Sequence, residues 1–233
     1  MKKCILIFIL MFLNILPVLF AADFEAERGS RVAWARLKFP VRGDSAHESE
    51  WDWNAHPSGD LRLIRYFRQH SPVNMLEDWN VVDADHLEKM CAFPLLFIHG
   101  QRPQNFTQRG RSNLKEYILR GGFLFIDDCV WEERAQSDQF YRSMRRLLTE
   151  LFPNVKFERV NPGHELFNCC FEIRSFPHCQ GANNGISLIY LDGRLIGAIT
   201  SSDIHCGWVG WFGGKTEETL RLGVNIYIYA MIH

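Results

Sequence analysis

The stretch Phe93–Cys129, FPLLFIHGQRPQNFTQRGRSNLKEYILRGGFLFIDDC, decides the fold class. Phe93 to Ile98 is a continuous apolar run ending in His99-Gly100, the pattern of a strand buried on both faces. Thr107 stands where it can cap a helix whose apolar residues Leu114, Tyr117, Ile118 and Leu119 share one side. Arg120 sits at the end of that helix, and Gly121-Gly122 stop it. Phe123 to Ile126 is a second buried strand, followed at once by Asp127-Asp128-Cys129. Strand, helix and strand joined by short loops form a right-handed crossover, so the two strands are predicted to run parallel.

The flanking sequence extends this unit. Val32 to Phe39 alternates apolar and polar residues and stops at Pro40, which predicts an earlier strand. Gly43 to Gly59 is a long polar loop carrying Trp51, Trp53 and His56. Pro57-Ser58-Gly59-Asp60 opens a helix, Trp79 to Val82 is a short strand, and a helical turn or two surrounds Leu87. Ser137 to Phe152 is helical up to Pro153, and Val155 to Val160 is a strand. Ser187–Leu191 and Arg194–Thr200 flank Asp192-Gly193, a two-residue hairpin signal, which adds an antiparallel pair. Thr216 is expected to cap a last helix with Glu217-Glu218 in its first turn. The expected architecture is a three-layer α/β domain, residues 23–233, with a mostly parallel sheet and a C-terminal antiparallel hairpin.

Composition bounds the function classes. The 233 residues are 47% hydrophobic and 23% charged, which excludes a disordered chain. Lys plus Arg is 26 against 27 for Asp plus Glu, so no nucleic-acid partner is indicated. Residues 1–22 read as a secretory signal, with Lys2-Lys3, an apolar run from Cys4 to Leu16 broken only by Asn14, Pro17, and Ala21-Ala22 before Asp23. The expectation is export to the periplasm or the exterior with no membrane span after cleavage; the alternative is a retained N-terminal anchor. Six cysteines remain beyond Cys4, with most expected to be buried and unpaired. A bridge from Cys169 or Cys170 to Cys179 is the most local pairing. No C-x-x-C pair occurs, so no zinc site is expected.

In an open parallel sheet, ligands sit beyond the carboxyl ends of the strands. His99, Asp127, Asp128, Asp203 and His205 follow predicted strands and converge on that edge, and His164 opens a Gly163-His164-Glu165 loop that can join them. Carboxylates with imidazoles in a crevice serve as acid and base or hold a divalent metal, though no spacing matches a metal motif and no cofactor is assigned. Two adjacent acids beside a core are expensive without partners, and the plain alternative is that they cap the next helix or bond strand-end backbone. Trp208, in the glycine-interrupted segment Cys206–Gly214, is read as a lid or stacking platform for a ring-shaped ligand such as a sugar, or as a plug of the sheet edge. Cys129 lacks the flanking glycines of a nucleophile elbow, and its acidic neighbours raise a thiol pKa.

Several segments occur in the order found in the domain of unknown function 4159 family: FPLLFIHG at 93–100, GGFLFIDD at 121–128, HELF at 164–167, SDIHCGW at 202–208 and LGVNI at 222–226. The chain resembles that family from about Val32 to His233. The resemblance implies a flavodoxin-like scaffold similar to class I glutamine amidotransferases, of unestablished activity, with partners at the bacterial envelope. This sequence departs from the family's usual His-Pro in having His164-Glu165. The amidotransferase nucleophile position falls near Asp127-Asp128, with Cys129 displaced by about one residue, and no His-x-Glu pair occurs near the chain end. The resemblance therefore implies the scaffold without the Cys-His-Glu triad. Two functions follow as expectations: a non-catalytic domain binding a small or carbohydrate-like ligand or an envelope protein, or a hydrolase, metal-assisted or not, that uses the Asp/His edge.

Overall fold

The computed structural model describes residues 31–41, 50–130 and 138–233. The expected signal at 1–22 and part of the loop after Gly43 lie outside the described residues. In chain order the elements are β1 (Val32–Lys38), α1 (Glu50–Trp53), α2 (Ser58–His70), β2 (Met75–Asp83), α3 (Leu87–Cys91), β3 (Leu95–Gly100), α4 (Gln108–Leu119), β4 (Phe123–Asp128) and α5 (Gln139–Leu151). There follow β5 (Lys156–Val160), a short 3-10 turn (Glu165–Phe167), β6 (Ile186–Leu191), β7 (Arg194–Thr200), α6 (Ile204–Val209) and α7 (Lys215–Ile232).

One sheet holds all seven strands in the order β2-β1-β3-β4-β7-β6-β5. β2, β1, β3, β4 and β7 are parallel neighbours, whereas β6 runs antiparallel to both β7 and β5. The chain leaves β1 toward β2 on one side and returns to β3 on the other. This makes the β1/β3 boundary the point where the winding reverses and where such sheets open a crevice.

Side-chain alternation divides the core into two layers. On β3 and β4, Leu96, Ile98, Leu124 and Ile126 meet α4 and α5 on one face. Leu95, Phe97, Phe123 and Phe125 meet α2, α6 and α7 on the other. Both strands are buried along their whole length, as continuous apolar runs require. The predicted crossover, the hairpin at Asp192-Gly193 and the Thr107 cap, which accepts a hydrogen bond from Gly110 N at 2.8 Å, are present. Both hairpin residues have positive φ, 50° and 82°, as a two-residue turn between twisted strands demands.

Some boundaries differ. β3 and β4 continue through Gly100 and Asp128, so His99 and both acids are strand residues rather than loop residues. β2 starts at Met75, earlier than Trp79, because its pairing with β1 begins at Val32. The last helix begins one residue before Thr216, which lies in the first turn with Gly214 in the cap position. No described helix is long and apolar enough to cross a membrane.

Gly197 sets the closeness of β7 to β4. A Cβ placed there would stand 2.5 Å from the Leu124 carbonyl oxygen, a backbone atom unable to move without breaking the ladder. Gly197→Ala is expected to lower stability by about 2 kcal/mol or more. Chemical denaturation checks this, and an unchanged midpoint would contradict the close approach.

Candidate functional site: a buried polar cluster at the carboxyl edge

The site starts from a charged residue inside the sheet. Arg36 shares the β1 face of Trp34, opposite Phe97 of β3, and is fully buried. A guanidinium removed from water requires a counter-charge and acceptors for its donors. Asp60, in the first turn of α2, supplies the charge: Arg36 Nε donates to both its oxygens at 3.0 Å, and Arg36 Nη2 pairs with its Oδ2. Trp34 Nε1 donates to Asp60 Oδ1 at 2.7 Å. Arg36 Nη1 donates to the carbonyls of Trp53 and Ala55, each at 2.9 Å. Burial opposes ionisation of Asp60, but the Arg36 guanidinium holds its carboxyl well below the usual range.

That pair fixes His205. Its Nε2 lies 2.6 Å from Arg36 Nη2 and 3.1 Å from Asp60 Oδ2. Burial first, then Arg36, lowers its pKa to about 4, leaving a neutral ring at pH 7. Arg36 as donor then makes Nε2 the acceptor and places the proton on Nδ1, which has no partner among the described residues.

The acids of β4 separate because strand side chains alternate. Asp127 shares the face of Phe123 and Phe125 and pairs in register with His99 of β3. Its Oδ2 accepts from His205 N at 2.9 Å, at the start of α6. Asp128 faces the other layer and accepts from Tyr141 N at 2.8 Å, in the first turn of α5. Each acid thus serves the start of a helix. Asp203 sits between β7 and α6 in the left-handed region, φ 51°, and its Oδ2 accepts from Val130 N at 3.3 Å and from Gln180 Nε2. Burial followed by the charge of Asp203 pushes Asp127 well above the ordinary carboxylate pKa. Burial also raises Asp128 and Asp203, the latter against its Gln180 hydrogen bond.

His99 is the least satisfied member. The Asp52 backbone approaches it, yet neither ring nitrogen has a partner of proper hydrogen-bonding geometry among the described residues. Burial, then His205 and Arg36, keep it neutral well below pH 6.5. Its ring centroid is 4.4 Å from that of His205. Asp127 Oδ1 and Asp203 Oδ1 are likewise buried and unpartnered among the described residues.

Not every predicted member joins. His164 accepts from Leu166 N at 3.2 Å and packs on Tyr229, 5.7 Å between centroids, with no contact to His99 or Asp203 recorded among the described residues. Trp208 is buried among Trp34, Phe97 and Phe125 and donates to the Thr219 carbonyl, so it presents no face to a ligand. Trp211, three residues on, is the exposed ring, and its edge meets His56 at 4.5 Å.

Four residues escaped sequence reasoning as site members: Arg36, Asp60, His56 and Cys206. Arg36 occupies a polar slot of an alternating strand and looks solvent-facing, and Asp60 looks like a helix-start acid. His56 is half-buried with φ 50°, held between carbonyls bonded to Arg36 and the start of α2. On its other side Asp52 accepts from Gln101 N at 3.1 Å and Arg102 N at 3.0 Å, which pins α1 to the loop after β3. Cys129 and Cys206 are the only buried cysteines among the described six, with sulfurs 3.8 Å apart. The others are half-buried or exposed, and Cys179 lies against Gly207 rather than against Cys169 or Cys170. A hydrogen bond with Cys206 opposes the shift of Cys129, but burial and Asp203 push its thiol up to about 11.

Breaking the central pair exposes its role. Asp60→Asn leaves Arg36 buried without a counter-charge and is expected to cost about 3–5 kcal/mol, whereas replacing both by apolar residues recovers most of it. Denaturant titration of the two variants checks this. A single-variant loss below about 1 kcal/mol would show that the pair is not what holds this edge.

No curated protein matches the chain. A family model of the domain of unknown function 4159 matches residues 38–231, which runs from the last residue of β1 through nearly all of α7 and includes every member of the cluster except Trp34 and Arg36. The protein belongs to the domain of unknown function 4159 family.

Proposed function

We propose that this protein is a binding domain, exported from the cytoplasm, that takes a small polar ligand at the carboxyl edge of its sheet. The scaffold is read as flavodoxin-like and similar to class I glutamine amidotransferases, without their nucleophile chemistry. The order β2-β1-β3-β4 supports the scaffold reading, and the apolar run before Asp23 supports export. The observation that carries the binding reading is the convergence of buried atoms that have no partner among the described residues at this edge: both nitrogens of His99, Nδ1 of His205, and one oxygen each of Asp127 and Asp203. Buried polar groups are normally satisfied, so such a concentration where the winding reverses is chemistry kept for something that enters. Cysteine catalysis has little support, since the Cys129 thiol is protonated at neutral pH and no imidazole hydrogen-bonds to it among the described residues. Trp208 being interior removes one argument for a sugar ligand, while Trp211 leaves an exposed ring at the mouth.

Metal-assisted hydrolysis is the second reading. The ligand atoms of His99, Cys129 and Asp203 lie within 4.8 Å of one another, which favours it. Turnover of chromogenic esters or phosphates, dependent on added divalent metal and lost in Asp203→Asn, separates it from binding.

Side chains kept for a ligand cost stability in its absence. His99→Leu, which removes two unsatisfied nitrogens at similar volume, is expected to raise the unfolding free energy by about 1 kcal/mol. A loss of similar size would show that His99 holds the fold, and the binding reading would fail.

The acids give a pH signature. A carboxyl with raised folded pKa contributes stability fully present below its unfolded pKa of about 4 and lost as pH rises through the folded value. Asp127→Asn keeps the acceptor for His205 N and does not ionise, so its stability relative to the native protein should grow as pH rises from 4 through the raised folded pKa. Urea unfolding across that range checks it, and a difference independent of pH would mean that Asp127 ionises normally in the fold.

A further inference from the structure

We propose that Cys129, Cys206 and His56 form a zinc site of the open kind, two thiolates and one imidazole, whose fourth position adjoins His99 and Asp203. The inference rests on reading the carboxyl edge as a binding site and names the first thing it binds.

Three segments far apart in sequence meet here: the loop after α1, the residue after β4, and α6. The ligand atoms of His56, Cys129 and Cys206 all lie within 4.8 Å of one another. The two sulfurs are 3.8 Å apart. Two sulfurs each bonded at about 2.3 Å to a tetrahedral zinc ion stand about 3.8 Å from each other, so the separation of the thiols matches that of such a pair. Two thiolates and an imidazole are the donors that a borderline-soft ion prefers over carboxylate and water.

Charge also fits. On binding, both thiols release their protons to solvent, and the two thiolates cancel the charge of the ion. The result is a neutral centre in a region where an uncompensated charge is expensive. The position of His56 is overdetermined: carbonyls on its N-terminal side hold Arg36, and the ring rests on Trp211. A non-glycine residue with φ 50° is strained and persists where the surroundings impose it, commonly at ligand sites.

A second, independent observation points to the fourth position. The ligand atoms of His99 and Asp203 lie within 4.8 Å of Cys129 Sγ. His99 is 1% exposed and has both nitrogens unpartnered among the described residues, and Asp203 Oδ1 is in the same condition. A water or an oxygen of a small ligand on the open position would give those groups the hydrogen-bond partner they lack. The same three-ligand arrangement with one open position distinguishes zinc sites that take a ligand from closed structural ones.

The test uses the full folded chain, reduced and freed of metal by a chelator, then dialysed against zinc or cobalt. The expected result is one zinc per chain and a thiolate-to-cobalt charge-transfer band. Cys206→Ser and His56→Ala should each weaken zinc binding by tenfold or more. Cys91→Ser should leave it unchanged. Because serine at a buried position can also disturb folding, the thiolate-to-cobalt charge-transfer band of the unaltered chain decides. Substoichiometric zinc with no thiolate-to-cobalt band would overturn the proposal. A Cys129–Cys206 disulfide that forms in preference to zinc binding under a glutathione buffer would overturn it too. Loss of the zinc site with the stabilising effect of His99→Leu intact would remove the metal and leave the binding reading standing; loss of both would remove the edge as a site.

Discussion

The buried pair of Arg36 and Asp60 is the constraint on which this edge depends. A guanidinium and a carboxylate inside a sheet-helix layer stay there only if every donor and acceptor finds a partner, and here those partners come from four places. Asp60 brings the start of α2, Trp34 braces it from β1, the Trp53 and Ala55 carbonyls bring the loop after α1, and His205 brings α6. Each segment is tied to the same charge, so the loop carrying His56 and the helix carrying Cys206 are held in fixed relation to β3 and β4. Hydrophobic packing around Phe97 and Trp208 supplies cohesion to this layer without choosing one arrangement of polar groups.

The second determinant is the two-residue period of a strand. His99 and Asp127 are register partners on one face, and the neighbouring Gly100 and Asp128 turn to the other. A pair of adjacent acids is thereby divided between two jobs. Asp127 stays with the cluster while it holds the start of α6, and Asp128 serves the first turn of α5. The reversal of winding between β1 and β3 then leaves Arg36, His99 and Asp127 side by side along one edge, and Cys129 follows directly after β4. Neutral imidazoles and raised carboxyl pKa values follow from burial, since the one strong charge present is already matched by Asp60.

The sequence made the frame legible where a period or a turn residue carries a physical requirement. Two apolar runs, a threonine cap and an Asp-Gly turn were enough for the parallel pair, α4 and the hairpin. The carboxyl edge was legible as a location, and His99, Asp127, Asp203 and His205 were named from it. What the sequence hid were contacts made across long separations. Arg36 sits in an alternating strand, where a polar residue normally points to water, and nothing local distinguishes it from Lys38. Cys129 and Cys206 are far apart in sequence, so no short spacing links them. Trp208, among glycines, reads as a loop residue, yet it fills the layer beneath α7 because α6 turns inward after the left-handed Asp203. Only its loop position links His164 to the edge, and packing sends it to Tyr229.

A crystal structure at a resolution that shows ordered solvent, with diffraction recorded on both sides of the zinc absorption edge, tests the central claim most directly. The claim is that the unpartnered groups around His99 are kept for something that enters. The expected result is an ion or polar ligand within bonding distance of Cys129, with His99 and Asp203 completing their hydrogen bonds to it or to its bound water. Both ring nitrogens of His99 bonded to protein groups alone, with no occupied site between them and Cys129, would contradict it.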